Sequence, residues 1–250
     1  MGERTSYTPG SFCWADLGTA DTEAAAEFYG ALLGWETRPG TPYAMFTLHG
    51  QNVAGLYQPP EDQAPPGWLS YVSVQDADAT AARARDLGGA VLLEPHDVGV
   101  GRGAFLQDPQ GVMFGVWQPG SHIGASRVND PGAMVWNQLA TSDVEAAQRF
   151  CADLFGWSYG PLEGSSEAYW EIRNGEGWLN GGVMGLPAED VPPHWLVMFT
   201  VADVDAAAGL VSDRGGTVTV PPTAVPTGRF AAMADTQGAA FGLFEGENDP

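Results

Sequence analysis

The sequence predicts an α+β fold made of tandem βαβββ units, four in all, forming two incomplete curved-sheet barrels. Three observations predict it. The stretch Trp14-Ala15-Asp16-Leu17-Gly18 with its helix signature Glu27-Phe28-Tyr29…Leu33-Gly34-Trp35 returns as Trp136-Asn137-Gln138-Leu139-Ala140 with Arg149-Phe150-Cys151…Phe155-Gly156-Trp157, shifted by 122 residues. Later landmarks recur at a shift of 127: Gly55 and Gly182, Trp68 and Trp195, Arg102 and Arg229, Asp108 and Asp235. Within each half, the strand-then-helix pattern restarts after a Pro-rich connector, at residues 59–66 and 191–193. One such unit leaves the inner face of its sheet bare, whereas two can curl that face around a cavity.

The elements follow in order. Residues 1–9 read as a disordered lead-in, 10–120 as the first domain, 121–130 as a linker and 131–247 as the second domain. A strand is expected at 12–18. Asp21 caps a helix over 22–33 whose apolar residues recur at helical spacing, and Gly34 stops it. Short strands at 43–48 and 52–57 precede the connector. A strand at 68–74, a helix at 77–87 and strands at 90–93, 103–107 and 112–117 complete the first half. The turn Asp108-Pro109-Gln110-Gly111 makes a hairpin of the last two. The second half repeats the scheme, with five extra residues expected in the loop at 159–168.

Composition narrows the function. The formal charge is −21 and all 10 basic residues are Arg, so Schiff-base lysine chemistry is excluded and nucleic acid or an anionic membrane is an unsuitable partner. No apolar run approaches the roughly 20 residues that span a bilayer. With no secretory pattern at the amino terminus and only Cys13 and Cys151, a cytoplasmic protein without a disulfide framework is expected.

The helix signatures Glu-Phe-Tyr…Leu-Leu-Gly-Trp and the closing turn Asp-Pro-Gln-Gly resemble the vicinal oxygen chelate superfamily, which includes glyoxalases, extradiol dioxygenases and bleomycin-binding proteins. The resemblance runs from about residue 12 to 245 and is strongest to tandem glyoxalase-like proteins. It implies metal-ligand positions at Trp14, Gly55, Leu69 and Gly115, and at Trp136, Gly182, Leu196 and Gly242. None of these side chains ligates a divalent ion. The expectation is therefore no metal and no cofactor.

Other residues carry the remaining chemistry. Alternation along the first strand puts Asp16 on the same face as Trp14. It is either an acid/base or ligand anchor, or a carboxylate bonded to backbone or solvent; its counterpart Gln138 cannot take a proton. His49 is the one conceivable acid–base companion of Asp16, the four histidines otherwise falling in turns, connectors or the linker. Arg102 and Arg229 either hold an anionic ligand or bridge two units by pairing with carboxylates. Trp14, Tyr71, Met113, Trp117, Trp136, Met198 and Phe244 are the expected contact surface. The leading expectation is a metal-free binder of a small hydrophobic or aromatic metabolite or antibiotic. The alternatives are a metal-independent lyase, isomerase or cyclase using Asp16, and a structural or partner-binding doublet. Because paired units in one chain complete both barrels, a monomer is favoured over a homodimer.

Overall fold

The computed structural model describes residues 2–40, 42–60, 65–165, 168–188 and 190–246. Positions 61–64 of the first connector, 166–167 of the inserted loop and 247 of the second domain lie outside the described residues. The first half runs β1 (Phe12–Gly18), α1 (Thr22–Leu33), β2 (Glu36–Arg38), β3 (Tyr43–Leu48), β4 (Gln51–Tyr57), β5 (Gly67–Ser73), α2 (Ala77–Asp86), β6 (Ala90–Asp97), β7 (Gly101–Gln107) and β8 (Met113–Pro119). The second half runs β9 (Met134–Thr141), α3 (Val144–Phe155), β10 (Ser158–Pro161), β11 (Tyr169–Arg173), β12 (Leu179–Gly185), β13 (His194–Thr200), α4 (Val204–Asp213), β14 (Thr217–Val225), β15 (Gly228–Ala234) and β16 (Ala240–Gly246).

Each half is one eight-stranded sheet, ordered β2-β3-β4-β1-β5-β8-β7-β6 and β10-β11-β12-β9-β13-β16-β15-β14. The outermost strands do not pair with each other, so both sheets curl without closing. Each helix begins on an aspartate whose carboxylate accepts the amide three residues on: Asp21, Asp76, Asp143 and Asp203. Gly34 and Gly156 end α1 and α3 in the left-handed region, at φ 72° and 73°. The short strands β2 and β10 are additions to the elements expected along the chain. They are only three and four residues long, too short to show a two-residue apolar rhythm. Four of the five extra residues precede Tyr169, which stands 126 residues after Tyr43; the fifth falls between β11 and β12.

The two halves pack through their helix-bearing faces. One core joins Phe28, Tyr29 and Leu33 of α1 to Val204, Ala207 and Val211 of α4, around Phe199 and Phe241. The other joins Ala77, Ala81 and Ala84 of α2 to Ala147, Phe150 and Cys151 of α3. The motif residues that first betray the repeat also tie this interface. Trp35 donates through Nε1 to the Gly132 carbonyl, and Trp157 to the Gly10 carbonyl, at 2.6 Å each. The closing-turn Gln237 binds both backbone groups of Asp21 at 2.8 Å, and Gln110 does the same at Asp143. Each half thus fastens the helix start of the other. The lead-in is a correction: Tyr7 donates to the Ala125 carbonyl at 2.7 Å, Arg4 to Ser126 at 3.0 Å, and Gly10 to Ser73 at 2.7 Å. Residues 2–9 lie along the linker because its backbone offers them hydrogen-bond partners.

Candidate functional site

Strand alternation decides which side chains enter the concave faces. In β1, Cys13, Ala15 and Leu17 turn to the helix-side core, leaving Trp14, Asp16 and Gly18 on the concave side. Asp16 lies opposite Leu69 on β5 and beside Gly55 on β4, while Tyr71 lies beside Gly115 on β8. The bare glycines make room for tyrosines. A Cβ at Gly55 would meet Tyr43 Oη at 1.7 Å, one at Gly115 the Tyr71 ring at 2.2 Å, and one at Gly18 Tyr57 Oη at 3.0 Å.

These rings converge on Asp16. Its Oδ2 accepts hydrogen bonds from Tyr71 at 2.8 Å and Tyr43 at 3.2 Å, and Tyr43 Oη accepts in turn from Trp14 Nε1 at 2.8 Å. Its Oδ1 is buried and has no partner among the described groups. Burial pushes the Asp16 carboxyl up to about 7, with the Tyr71 and Tyr43 donors pulling the other way. Burial, then the Asp16 charge, lifts Tyr43 and Tyr71 well above the usual phenol range and Tyr57 to about 12.

Tyr57 is half-buried; its ring stacks on Tyr43 at 6.1 Å. Trp117 covers Gly101 and Gly103 and donates to the His122 carbonyl at 2.8 Å. The linker therefore crosses the cup, and the His122 ring meets Trp14 edge-on at 4.7 Å. Burial holds the His122 imidazole below its usual value, and the Arg38 charge adds to the effect. One wall of the cup stays open: Leu93 pairs with Phe105, which lies beside Gly115, and Met113 is next on that face of β8. Leu93 and Met113 are 39% and 44% exposed.

The second concave face keeps the scaffold and loses the carboxyl. Trp136 donates to Tyr169 Oη at 2.7 Å, and Tyr169 fills the space at Gly182 as Tyr43 does at Gly55. Where the first cup has Asp16, Tyr57 and Tyr71, the second has Gln138, Met184 and Met198. Among the described residues, Gln138 donates to the Met184 sulfur at 3.3 Å. Phe230 and Phe244 pair across β15 and β16 as its outer wall.

The structure corrects the place expected for His49, and for Arg102 and Arg229 it shows the carboxylate-pairing alternative rather than the ligand anchor. His49 sits exposed at the β3–β4 turn with φ 52°, at the end of β4 remote from the Gly55 level of Asp16, so the two cannot act together. Arg102 makes a two-pronged pair with Asp78 of α2 at 2.7 and 2.9 Å and also donates to the Pro95 carbonyl at 2.8 Å. Arg229 pairs likewise with Asp205 of α4. Both guanidiniums therefore turn to the helix side and bridge elements rather than anchoring a ligand; beside Arg102, Gly101 and Gly103 face Trp117, and beside Arg229, Phe230 takes the concave position. The sequence reading missed Tyr43, Tyr57 and His122. Tyr57 was within reach, two residues beyond Gly55 on one strand; Tyr43 needs the β3–β4 register and His122 the path of the linker.

Could these cups hold a divalent metal? Among the described residues, no three His, Cys, Asp or Glu side chains come together. The space at the four glycine positions is taken by Tyr43, Tyr71, Tyr169 and Met198, so a ligating side chain would clash there. Asp16 alone, bonded to two phenols, is not a metal donor set, and the residues present do not fit one.

Comparison with known proteins agrees with the fold. A solved structure described as the Mn(II)-bound glyoxalase from Novosphingobium aromaticivorans superposes with a TM-score of 0.67 at 16% identity, covering 98% of this chain and 83% of that one. A catechol 2,3-dioxygenase gives 0.64 at 13% identity, covering 99% and 90%. Among sequences, "Putative glyoxylase CFP32" of Mycobacterium tuberculosis is 37% identical over 98% of both chains. "Anthracycline biosynthesis protein DnrV" of Streptomyces peucetius is 35% identical over 96% of this chain and 95% of its own. The profile described as "Glyoxalase/Bleomycin resistance protein/Dioxygenase superfamily" matches residues 12–116 and again 132–243. With its duplicated units, its topology and both matches in agreement, the chain belongs to the glyoxalase, bleomycin resistance protein and dioxygenase superfamily.

Proposed function

We propose that this protein binds a small, uncharged aromatic molecule on the concave face of its first half, without a divalent metal. The observation that carries this reading is the cluster of Trp14, Asp16, Tyr43, Tyr57 and Tyr71, of which Asp16, Tyr57 and Tyr71 are replaced by Gln138, Met184 and Met198 in the other half. A floor of aromatic rings with a few oriented hydroxyls suits a flat ligand bearing oxygen. Leu93, Phe105 and Met113 supply an open apolar wall beside it. With Arg102 turned away, nothing here favours a carboxylate or phosphate. The likeness to an anthracycline biosynthesis protein supports an aromatic, carbonyl-bearing ligand.

We take the protein to act in the cytoplasm as a monomer. No helix among the described residues is long and apolar enough to cross a membrane, and both cysteines are free and buried. The two helix faces already cover each other. Titration with 2-tetralone, followed by tryptophan fluorescence, tests the binding. Saturable quenching is expected, weakened about tenfold or more by Leu93→Glu on the first wall. Phe244→Glu on the second wall is expected to leave it unchanged; equal loss in both variants would sink the assignment to the first half.

A further inference from the structure

We infer that Asp16 and Tyr57 form a proton-transfer pair that enolises an aromatic ketone held in the first cup. The inference rests on the binding reading above and adds an activity to it. The carboxyl is fixed from one side only: Tyr71 and Tyr43 hold Oδ2, and Trp14 holds Tyr43. Oδ1 has no partner among the described residues, although the side chain is only 3% exposed. A buried carboxylate oxygen that the fold does not use is costly unless it serves a ligand. The Tyr57 hydroxyl is the second unused group. It stands over Gly18, two residues along β1 from Asp16, and makes none of the side-chain hydrogen bonds that fix Tyr43 and Tyr71. Among the described residues, stacking on Tyr43 is the contact that tethers its ring.

The step uses no co-reactant. Ionised Asp16 takes, through Oδ1, a proton from the carbon next to the ketone carbonyl. The C–H electron pair forms a carbon–carbon double bond, and the carbonyl π pair moves to oxygen, where the Tyr57 O–H donates a hydrogen bond. Asp16 then returns the proton to that carbon or, in a conjugated ketone, to the far end of the enol. The first outcome is exchange and the second isomerisation. Burial that brings the carboxyl near neutrality suits a base of this kind. The titratable groups around it are Tyr43, Tyr57 and Tyr71, with His122 beyond Trp14. The second cup provides a contrast within the chain, since Gln138 cannot take the proton and Met184 has no O–H to donate.

The test follows loss of the carbon-bound protons next to the carbonyl of 2-tetralone by proton NMR in deuterium oxide, with the full-length chain and the fluorescence titration run in parallel. Wild type is expected to exchange faster than buffer, with the rate rising as pH passes through about 7. Asp16→Asn should slow exchange by about a hundredfold, compared at a 2-tetralone concentration that saturates the quenching of each protein. Tyr57→Phe should slow it by about tenfold at its own saturating concentration. Saturable binding without exchange, or equal exchange in Asp16→Asn, overturns the proton-transfer pair and leaves the binding reading standing. Absence of saturable quenching in the wild type overturns both.

Discussion

The two concave faces share a tryptophan-to-tyrosine hydrogen bond, at 2.8 Å in the first half and 2.7 Å in the second, over a glycine that leaves room for it. They part at three neighbouring positions. Asp16, Tyr57 and Tyr71 form a hydrogen-bonded or charge-coupled group in one cup, and Gln138, Met184 and Met198 form a thioether-lined surface in the other. The comparison separates what the sheet needs from what a ligand needs. A Trp–Tyr pair fills the bend of the sheet in either half and satisfies its own polar atoms. A buried carboxyl has no such structural excuse, because desolvation makes it costly and its tyrosine donors reach only one of its oxygens.

The largest expected effect tests the shared part. Trp14 is 4% exposed, so Trp14→Ala should cost about 3–5 kcal/mol in urea unfolding. Trp136 is only half-buried, and Trp136→Ala should cost about half as much. Equal losses would break the idea that the first cup is the more tightly packed.

Next comes pH. Asp16 titrates near 7 in the folded chain and near 4 when unfolded, so between those values the folded state holds a proton the unfolded state has released. Stability therefore falls as pH rises across that window and stays low above it. From about pH 5 to about pH 8 the loss attributable to Asp16 is about 2–3 kcal/mol. Asp16→Asn should remove this component, measured as the difference in unfolding free energy between the two proteins. An unchanged slope would mean that Asp16 ionises normally.

A smaller effect concerns the donor. Tyr71→Phe deletes one hydrogen bond to Asp16 and should cost about 1–2 kcal/mol at neutral pH, moving the Asp16 titration still higher. Met198→Leu, the matching change in the second half, conserves volume and should cost less than about 1.5 kcal/mol with no change in pH dependence. The smallest effect is expected from Arg102→Ala and Arg229→Ala. Their partners Asp78 and Asp205 are solvent-exposed, so the pairs are screened, and 2-tetralone quenching should be unaltered. Loss of binding in either would return that arginine to the ligand site.

Much of this was legible in the residue order. The repeat and the helical spacing of apolar residues, with Asp21 as a cap, place all four helices to within a residue or so, and alternation puts Asp16 beside Trp14 on the concave face. Bonding between Asp16 and its neighbours was less legible. Tyr43 reaches Asp16 only because β3 and β4 pair in one register, Tyr43 opposite Tyr57 and Met45 opposite Gly55. The pairing of His49 with Asp16 failed for the same reason: the register that sets Asp16 beside Gly55 leaves His49 at the exposed turn beyond Gln51. Arg102, placed after a glycine, left open an anchor or a carboxylate pair, and the fold turns its guanidinium to Asp78 of α2.

What the sequence determined by itself was the architecture, because a duplicated pattern of caps, apolar faces and turns specifies each local element and states it twice. It also determined that the expected metal positions hold Trp, Leu and Gly, a matter of residue identity alone. What only the tertiary structure decided was the use of those vacated positions. Tyrosines from neighbouring strands fill the space above the glycines, and the linker lays His122 against Trp14. Trp35, Trp157, Gln110 and Gln237, conspicuous as motif residues, join the two halves instead of lining a site. The physical reason is one of range. Helix caps and strand alternation act between residues a few positions apart. The surroundings of a buried carboxyl are set by groups 27 and 55 residues away, brought within hydrogen-bond distance only by the register of the folded sheet.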